Sequence, residues 1–207
     1  MVSYTLNRIN CKKKLVTPFL GQSEYAKEIC KLIDTVSNNS SNVLLFGERG
    51  TGKRLFAESV HLKNNENFQD FFVINCRFYG SEFSNKLNEL KNSLLIQSDS
   101  CRTVFFENID KLKVELQQKL LIFLKEITDS KCNVRIISST ETFLEQMVQN
   151  NLFNRDLYYF ISSIILNFLP LRSRKEDICE IANFYKKHFE TKSGIFFEDF
   201  SEDVLCA

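Results

Sequence analysis

The sequence has no long apolar run, no pair of cysteines in a CxxC arrangement and no excess of charge of one sign. Because it lacks a run of membrane-spanning length and the apolar stretch of a signal peptide, we do not expect it to cross a membrane or to be secreted. Its 27 lysines and arginines balance 26 aspartates and glutamates, so no overall positive charge attracts nucleic acid. We therefore expect a cytoplasmic protein without a globally basic DNA-binding surface.

The seven cysteines are odd in number and scattered along the chain. They are Cys11, Cys30, Cys76, Cys101, Cys132, Cys179 and Cys206. This distribution indicates reduced thiols rather than disulfides or metal ligands. The two histidines, His61 and His188, lie far apart in the sequence, and nothing marks either one as a catalyst.

A glycine-rich segment beginning at residue 47 is the most informative feature that the sequence does contain. The apolar run Val43–Phe46 precedes it, and an apolar pattern of helical spacing follows over residues 55–62. Strand, glycine turn and helix together predict a P-loop, in which backbone N–H groups and the helix N-terminus bind phosphate and Lys53 reaches the terminal phosphates. The strand and helix on either side disfavour the alternative, a merely flexible turn. The predicted nucleotide-binding residues are Gly47, Glu48, Arg49, Gly50, Thr51, Gly52, Lys53 and Arg54.

Five short apolar runs alternate with patterns of helical spacing along the chain. The runs are Val43–Phe46, Phe71–Ile74, Val104–Phe106, Val134–Ile137 and Ile161–Phe168. Helical patterns cover residues 26–36, 55–62, 112–127 and 178–189. Because the runs are continuously apolar rather than alternating, they are typical of parallel strands that are buried on both faces. The alternation predicts an open α/β sheet with its ligand at the carboxyl ends of the strands.

The order of several motifs resembles the AAA+ domain of bacterial sigma-54-dependent transcription activators. The similarity runs from about Phe19 to Leu205. In this range GERGTGKR corresponds to the family motif GESGTGKE, and TVFFENI corresponds to TLFLDEI. Further along, FNRDLYYFI corresponds to FREDLYYRL, and LPLRSRKEDI corresponds to LPPLRERKEDI. The resemblance implies an α/β P-loop AAA+ fold: a five-stranded, mostly parallel sheet, helices on both faces and the start of a helical lid. It divides the chain into an N-terminal segment at 1–18, a nucleotide-binding core at 19–171 and a truncated lid at 172–207.

The same resemblance implies ATP and Mg²⁺ as ligands and adds residues to the site. Glu107 stands where the family has the aspartate that helps to hold Mg²⁺, and its longer carboxylate could bind the metal through water. Asn75 is the asparagine of the strand-end sequence FVINC. In the family, the asparagine at this position bonds the catalytic glutamate. A strand-end asparagine whose side chain bonds the backbone is an equally good explanation for this residue. Thr140 ends a strand that resembles the family's sensor strand.

Departures from the family pattern fall on the catalytic positions. Asn108 replaces the glutamate that polarises the attacking water, and an amide has no basic site at neutral pH. Glu141 replaces the sensor asparagine. The two arginines of FREDLYYRL, which act on a neighbouring subunit's phosphate, fall on Asn154 and Phe160. Arg155 lies one residue along as a substitute, but that shift turns a helical side chain by about 100°.

The sequence between the Asn-Cys strand and TVFFENI, Arg77 to Arg102, contains no GAFTGA loop, through which the family contacts sigma-54. The chain ends at Ala207, where the match to the lid begins, so we expect neither the lid's later arginine nor a DNA-binding helix-turn-helix. The partners that remain are a homo- or hetero-oligomeric AAA+ ring and related transcription regulators, without direct sigma-54 contact.

Together these features predict an ATP-binding, hydrolysis-deficient AAA+ domain that regulates transcription through protein assembly. A catalytic base contributes roughly 10²–10⁴-fold and an arginine finger roughly 10³–10⁵-fold, so the larger loss alone brings an ordinary ATPase close to background. One alternative is a subunit that is active only in a mixed ring with a full-length relative. The other is a gene fragment without a function.

Overall fold

The computed structural model describes residues 19–65, 70–95, 101–130, 132–198 and 200. The five strands are β1 Val43–Gly47, β2 Phe71–Asn75, β3 Arg102–Glu107, β4 Val134–Thr140 and β5 Ile164–Phe168. The seven α-helices within these residues are α1 Glu24–Ser37, α2 Lys53–Asn64, α3 Phe83–Leu95, α4 Val114–Asp129, α5 Leu144–Gln149, α6 Arg155–Ile161 and α7 Ile178–Ser193. The predicted N-terminal segment 1–18 and the predicted lid residues 201–207 lie outside the described part of the chain.

All five strands belong to one sheet in the order β2-β3-β4-β1-β5, and every neighbouring pair is parallel. Strand β1 lies between β4 and β5, with Val43 opposite both Ile137 and Ile164. Because the strands are parallel, the residues after β1, β2, β3 and β4 meet at one edge of the sheet. The predicted α/β sheet is therefore confirmed, and the glycine-rich segment after β1 leaves from its interior.

Helices cover both faces of the sheet, and the apolar side chains form one core on each face. Leu44 and Phe106 belong to the core shared with α3, α4 and α6, whereas Leu45 and Phe105 belong to the core shared with α1 and α2. Successive strand residues point to opposite faces, so a strand that is buried on both sides needs apolar residues at every position. That requirement explains the continuous apolar runs in the sequence.

Some predicted boundaries were wrong. The run beginning at Ile161 was assigned to the fifth strand, but Ile161 ends α6 and the strand begins at Ile164. Leu112 lies before α4 in a 3₁₀ turn, where its backbone N–H bonds to Ile109. Helices α3 and α5 were missed. No helix among the described residues combines the length and the apolar character needed to cross a membrane.

Candidate nucleotide-binding site

The glycine-rich segment forms a tight loop between β1, which ends at Gly47, and α2, which begins at Lys53. A Cβ on Gly47 would lie 2.6 Å from the carbonyl oxygen of Phe168, so only glycine fits this close approach of β1 and β5. Gly52 precedes α2 with a φ of 101°, a left-handed conformation that costs glycine little. The loop therefore delivers the chain directly to the N-terminus of a helix, where unpaired N–H groups and the helix dipole favour an anion.

Lys53 is the first residue of α2 and is 8% exposed. Its ammonium donates hydrogen bonds to the carbonyl oxygens of Gly47, at 2.6 Å, and Glu48, at 2.8 Å. Burial lowers the pKa of Lys53, and the nearby carboxylates of Glu141, Asp110 and Glu107 oppose that shift. The loop thus encloses a cation that its own carbonyls hold in place. In a P-loop, the lysine at this position reaches the β- and γ-phosphates.

A cavity of about 500 Å³ opens beside this loop. One wall is formed by residues 49–55 of the loop and the first turn of α2. The opposite wall comes from the carboxyl ends of three strands and includes Asn75, Glu107, Asn108, Ser139 and Glu141. The sheet therefore brings the P-loop together with acidic and amide side chains around one cavity, as the parallel topology predicts.

Asn75 connects two of the predicted catalytic positions. Its amide Nδ2 donates to Glu107 Oε2 at 2.9 Å, and its Oδ1 accepts from Asn108 Nδ2 at 3.2 Å. The same Oδ1 also accepts from the backbone N–H of Arg77 at 3.1 Å. Asn75 thus contacts two side chains at the cavity, those of Glu107 and Asn108, and also the backbone that follows its own strand.

Asn108 follows β3 in a left-handed conformation with a φ of 56°. Its backbone N–H donates to the Ser139 hydroxyl at 3.2 Å, which ties the end of β3 to β4. Asparagine tolerates this conformation better than most residues. The position therefore carries a neutral amide on a backbone that suits asparagine.

Glu107 is the residue that fits Mg²⁺. Its carboxylate lines the cavity opposite Lys53, and one of its oxygens is oriented by Asn75. Mg²⁺ usually takes one or two carboxylates and completes its shell with water and substrate phosphates. A single carboxylate suffices for that mode, and the described ranges contain no group of three or more acidic, histidine or cysteine side chains arranged to hold a metal ion.

Thr140 and Arg155 lie outside the set of cavity-lining residues in the described part of the chain. The Thr140 hydroxyl donates to the Thr142 carbonyl at 2.8 Å and accepts from the Thr142 N–H at 3.1 Å. Arg155 is the exposed first residue of α6. Asn154 caps that helix by accepting from the Leu157 N–H at 2.8 Å. At the end of β4, the cavity is therefore lined by Ser139 and Glu141, the two neighbours of Thr140.

Sequence reasoning missed Arg77, which lines the cavity one residue after Cys76. The Arg77 guanidinium lies 3.7 Å from the Glu141 carboxylate. The sequence did contain a signal for this residue, because a cation just after a strand lies at the same edge of a parallel sheet as the P-loop.

The segment after β5 packs against the P-loop through arginines. Arg172 forms a two-point ion pair with Glu48 on the exposed surface. Arg174 is buried, donates to the Thr51 carbonyl at 3.2 Å and lies over the ring of Phe19. The start of the predicted lid segment is thus attached to the loop that surrounds Lys53.

Comparison with known proteins agrees with this architecture. The family model of the sigma-54 interaction domain matches residues 19–167, most of the chain. The chain belongs to the sigma-54 interaction domain family. The regulatory protein LuxO of Vibrio parahaemolyticus is 27% identical over 208 residues, covering 90% of the chain and 46% of LuxO. The signal-transduction and transcriptional-control protein of Clostridium beijerinckii is 30% identical over 207 residues, covering 89% of the chain and 32% of that protein.

The chain therefore spans less than half the length of these relatives. Among solved structures, NtrX from Brucella abortus in complex with ATP superposes with a TM-score of 0.73 at 22% identity, covering 92% of the chain and 47% of NtrX. The P-loop NTPase domain of a sigma-54 activator from E. coli superposes with a TM-score of 0.50 at 21% identity, covering 73% of the chain and 99% of that domain. The predicted P-loop AAA+ fold of a sigma-54 interaction domain is confirmed.

Proposed function

We propose that this sigma-54 interaction domain binds ATP or ADP with Mg²⁺. The observation that carries the proposal is the loop around Lys53, whose buried ammonium lies at the N-terminus of α2 and lines a cavity with Glu107. NtrX, a structural neighbour, has been solved with ATP and with ADP. Lys53 and the loop amides would hold the phosphates, and Glu107 would hold the metal.

We propose further that the domain turns nucleotide over far more slowly than an ATPase with a complete catalytic set. Asn108 offers an amide at the position after Glu107, and Asn154 and Phe160 offer no positive charge for a neighbouring subunit's phosphate. Phe160 packs against the apolar core, and Asn154 caps α6. An arginine finger alone is worth roughly 10³–10⁵-fold in rate.

In this proposal the biological role is transcription control through assembly with other AAA+ subunits or related regulators, without direct sigma-54 contact. The division into a core at 19–171 and a lid segment from 172 is part of the same proposal. The ion pair between Arg172 and Glu48 brings the start of the lid segment into contact with the P-loop.

Purification of the protein followed by identification of the extracted nucleotide tests the proposal. Bound ATP or ADP, a Kd for Mg-ATP in the micromolar range and turnover far slower than that of an ATPase with a complete catalytic set are the expected results. Failure to bind either nucleotide would refute the proposal. Brisk turnover by the purified protein alone would refute its hydrolysis part, and brisk turnover that needs a full-length relative would favour the mixed ring.

A further inference from the structure

One carboxylate in the cavity has no role in the proposed binding of nucleotide and metal. Glu141 directly follows β4, the strand that lies between β1 and β3. Thr140 is opposite Phe46 in β1, so Glu141 stands level with the start of the P-loop. On the other side of β4, Phe106 pairs with Ser138, which places Asn108 at the same edge. Glu141 therefore lies between the phosphate-binding loop and the end of β3.

The Glu141 side chain is directed into the cavity rather than away from it. It lines the same space as Lys53 and Asn108 and is 23% exposed. Of the three carboxylates that oppose the lowering of the Lys53 pKa, Glu141 has the largest effect. The strand register and the charge acting on Lys53 thus both put Glu141 close to Lys53, and so beside the terminal phosphate of a nucleotide that Lys53 would hold.

The contact that the Glu141 carboxylate makes leaves it able to accept a hydrogen bond from a water molecule. Its contact in the described residues is the ion pair with Arg77 at 3.7 Å, longer than a hydrogen bond, which leaves lone pairs for a water. Glu107 has one oxygen bonded to Asn75, and Asn108 is an amide without a basic site.

We propose that Glu141 is the carboxylate that polarises the attacking water in the slow ATP hydrolysis of this domain. The inference rests on the proposed nucleotide binding. The water oxygen bonds to the γ-phosphorus while the bond between that phosphorus and the bridging β–γ oxygen breaks, and the bond pair leaves with ADP. The proton of the water passes to the Glu141 carboxylate and from there to solvent. Arg77 is a positioning residue that holds the carboxylate at the cavity.

Single-turnover hydrolysis of radiolabelled Mg-ATP, with protein in excess, tests the role. Glu141→Gln keeps the shape but removes the base, and we expect its rate to fall by roughly 10²–10⁴-fold. Glu115→Gln is the matched control, because Glu115 is exposed in the first turn of α4 and does not line the cavity. Lys53→Ala measures the background of contaminating ATPases.

A second readout does not depend on activity. The Kd of a fluorescent, non-hydrolysable ATP analogue should be unchanged or several-fold lower in Glu141→Gln, because a negative charge near the phosphates is gone. Nucleotide extracted after overnight incubation with ATP should be ATP from Glu141→Gln and ADP from the unmutated protein. A Kd more than tenfold higher would overturn the inference, because Glu141 would then be a binding or metal-holding residue.

A rescue variant guards against a fold defect in the single substitution. Glu141→Asn should be inactive, and Glu141→Asn with Asn108→Glu should recover hydrolysis by returning the carboxylate to the end of β3. Equal rates in Glu141→Gln and the unmutated protein, or no hydrolysis above the Lys53→Ala background, would overturn the role of Glu141 while leaving nucleotide binding intact. Loss of binding in the unmutated protein would instead refute the proposed function itself.

Discussion

Asn108 donates a 3.2 Å hydrogen bond from its amide to the side-chain oxygen of Asn75. Two neutral side chains thus meet at the junction of β2 and β3, beside the cavity that Lys53 enters. A carboxylate at position 108 would exchange partners when the charge of a bound phosphate changes, whereas an amide pair has no net charge with which to respond.

This contact predicts that the end of β2 does not distinguish ATP from ADP. Hydrogen exchange near Asn75 should slow equally with either nucleotide, because neither Asn75 nor Asn108 gains or loses charge. The P-loop amides at residues 50–54 serve as the internal control and should be protected by both nucleotides. Protection from hydrogen exchange near Asn75 that differs strongly between ATP and ADP would contradict the prediction that the end of β2 does not distinguish the two nucleotides.

Replacing Lys53 should abolish nucleotide binding. Lys53→Ala removes the buried charge that faces the β- and γ-phosphates, and no other loop residue supplies an ammonium at the start of α2. Lys63→Ala is the control, because Lys63 lies in the same helix but is exposed and pairs with Asp34 at 2.6 Å. A fluorescent-nucleotide titration should give no binding for the first variant and an unchanged Kd for the second. Equal affinity of Lys53→Ala and the unmutated protein would overturn the P-loop assignment.

The P-loop and the sheet could be predicted because their physical requirements act locally. Gly47 and Gly52 meet backbone demands, and the continuous apolar runs follow from burial on both faces. Other features depend on contacts between distant parts of the chain. Arg77 was missed because its place at the cavity is set by the register of β2 and β3, and Ile161 was misassigned because an apolar residue suits a helix end as well as a strand.

Restoring a glutamate at position 108 alone should raise turnover little. Asn108→Glu puts a longer side chain on a left-handed backbone and supplies no positive charge for the phosphate. Adding Asn154→Arg and Phe160→Arg should help only in a ring, because such arginines act on a neighbour. Steady-state ATPase assays over a range of protein concentrations measure this, and brisk turnover of Asn108→Glu by itself would contradict it.

The Asn154→Arg substitution should also destabilise the fold. Asn154→Arg removes the cap of α6, where the asparagine accepts from Leu157, and should lower the free energy of unfolding by about 1 kcal/mol. Urea denaturation measures the change, and Asn154→Asp is the control that keeps a capping side chain. An unchanged unfolding midpoint in Asn154→Arg would show that the cap contributes nothing.

In the segment after β5, replacement of Asp177 should lower the free energy of unfolding more than replacement of any other polar residue. It is fully buried and accepts hydrogen bonds of 2.8 Å from both the backbone N–H and the hydroxyl of Ser23, while Arg174 lies 3.5 Å away. Asp177→Ala leaves the buried Arg174 uncompensated and should cost about 3–5 kcal/mol. The control is Asp34→Ala, whose exposed ion pair should matter by less than about 1 kcal/mol. Similar unfolding midpoints for both variants would contradict the assignment.

The domain should not activate sigma-54 transcription by itself, even with the catalytic substitutions in place. No GAFTGA string occurs between Arg77 and Arg102, so the proposed basis for contact with sigma-54 is missing. An in vitro promoter-opening assay with sigma-54 polymerase measures this, with a full-length activator as the positive control. Open complexes formed by this chain alone would contradict it.

The position of β1 inside the sheet determines when the phosphate loop takes its shape during synthesis. β1 pairs only with β4 and β5 in the described sheet, and its partners opposite Val43 are Ile137 and Ile164, far later in the chain. On the ribosome, the loop is therefore made before either partner of β1, and the second partner, β5, is complete only when Phe168 has emerged. Since Phe168 also closes over Gly47, a nascent chain gains its phosphate site only when almost the whole core has been translated.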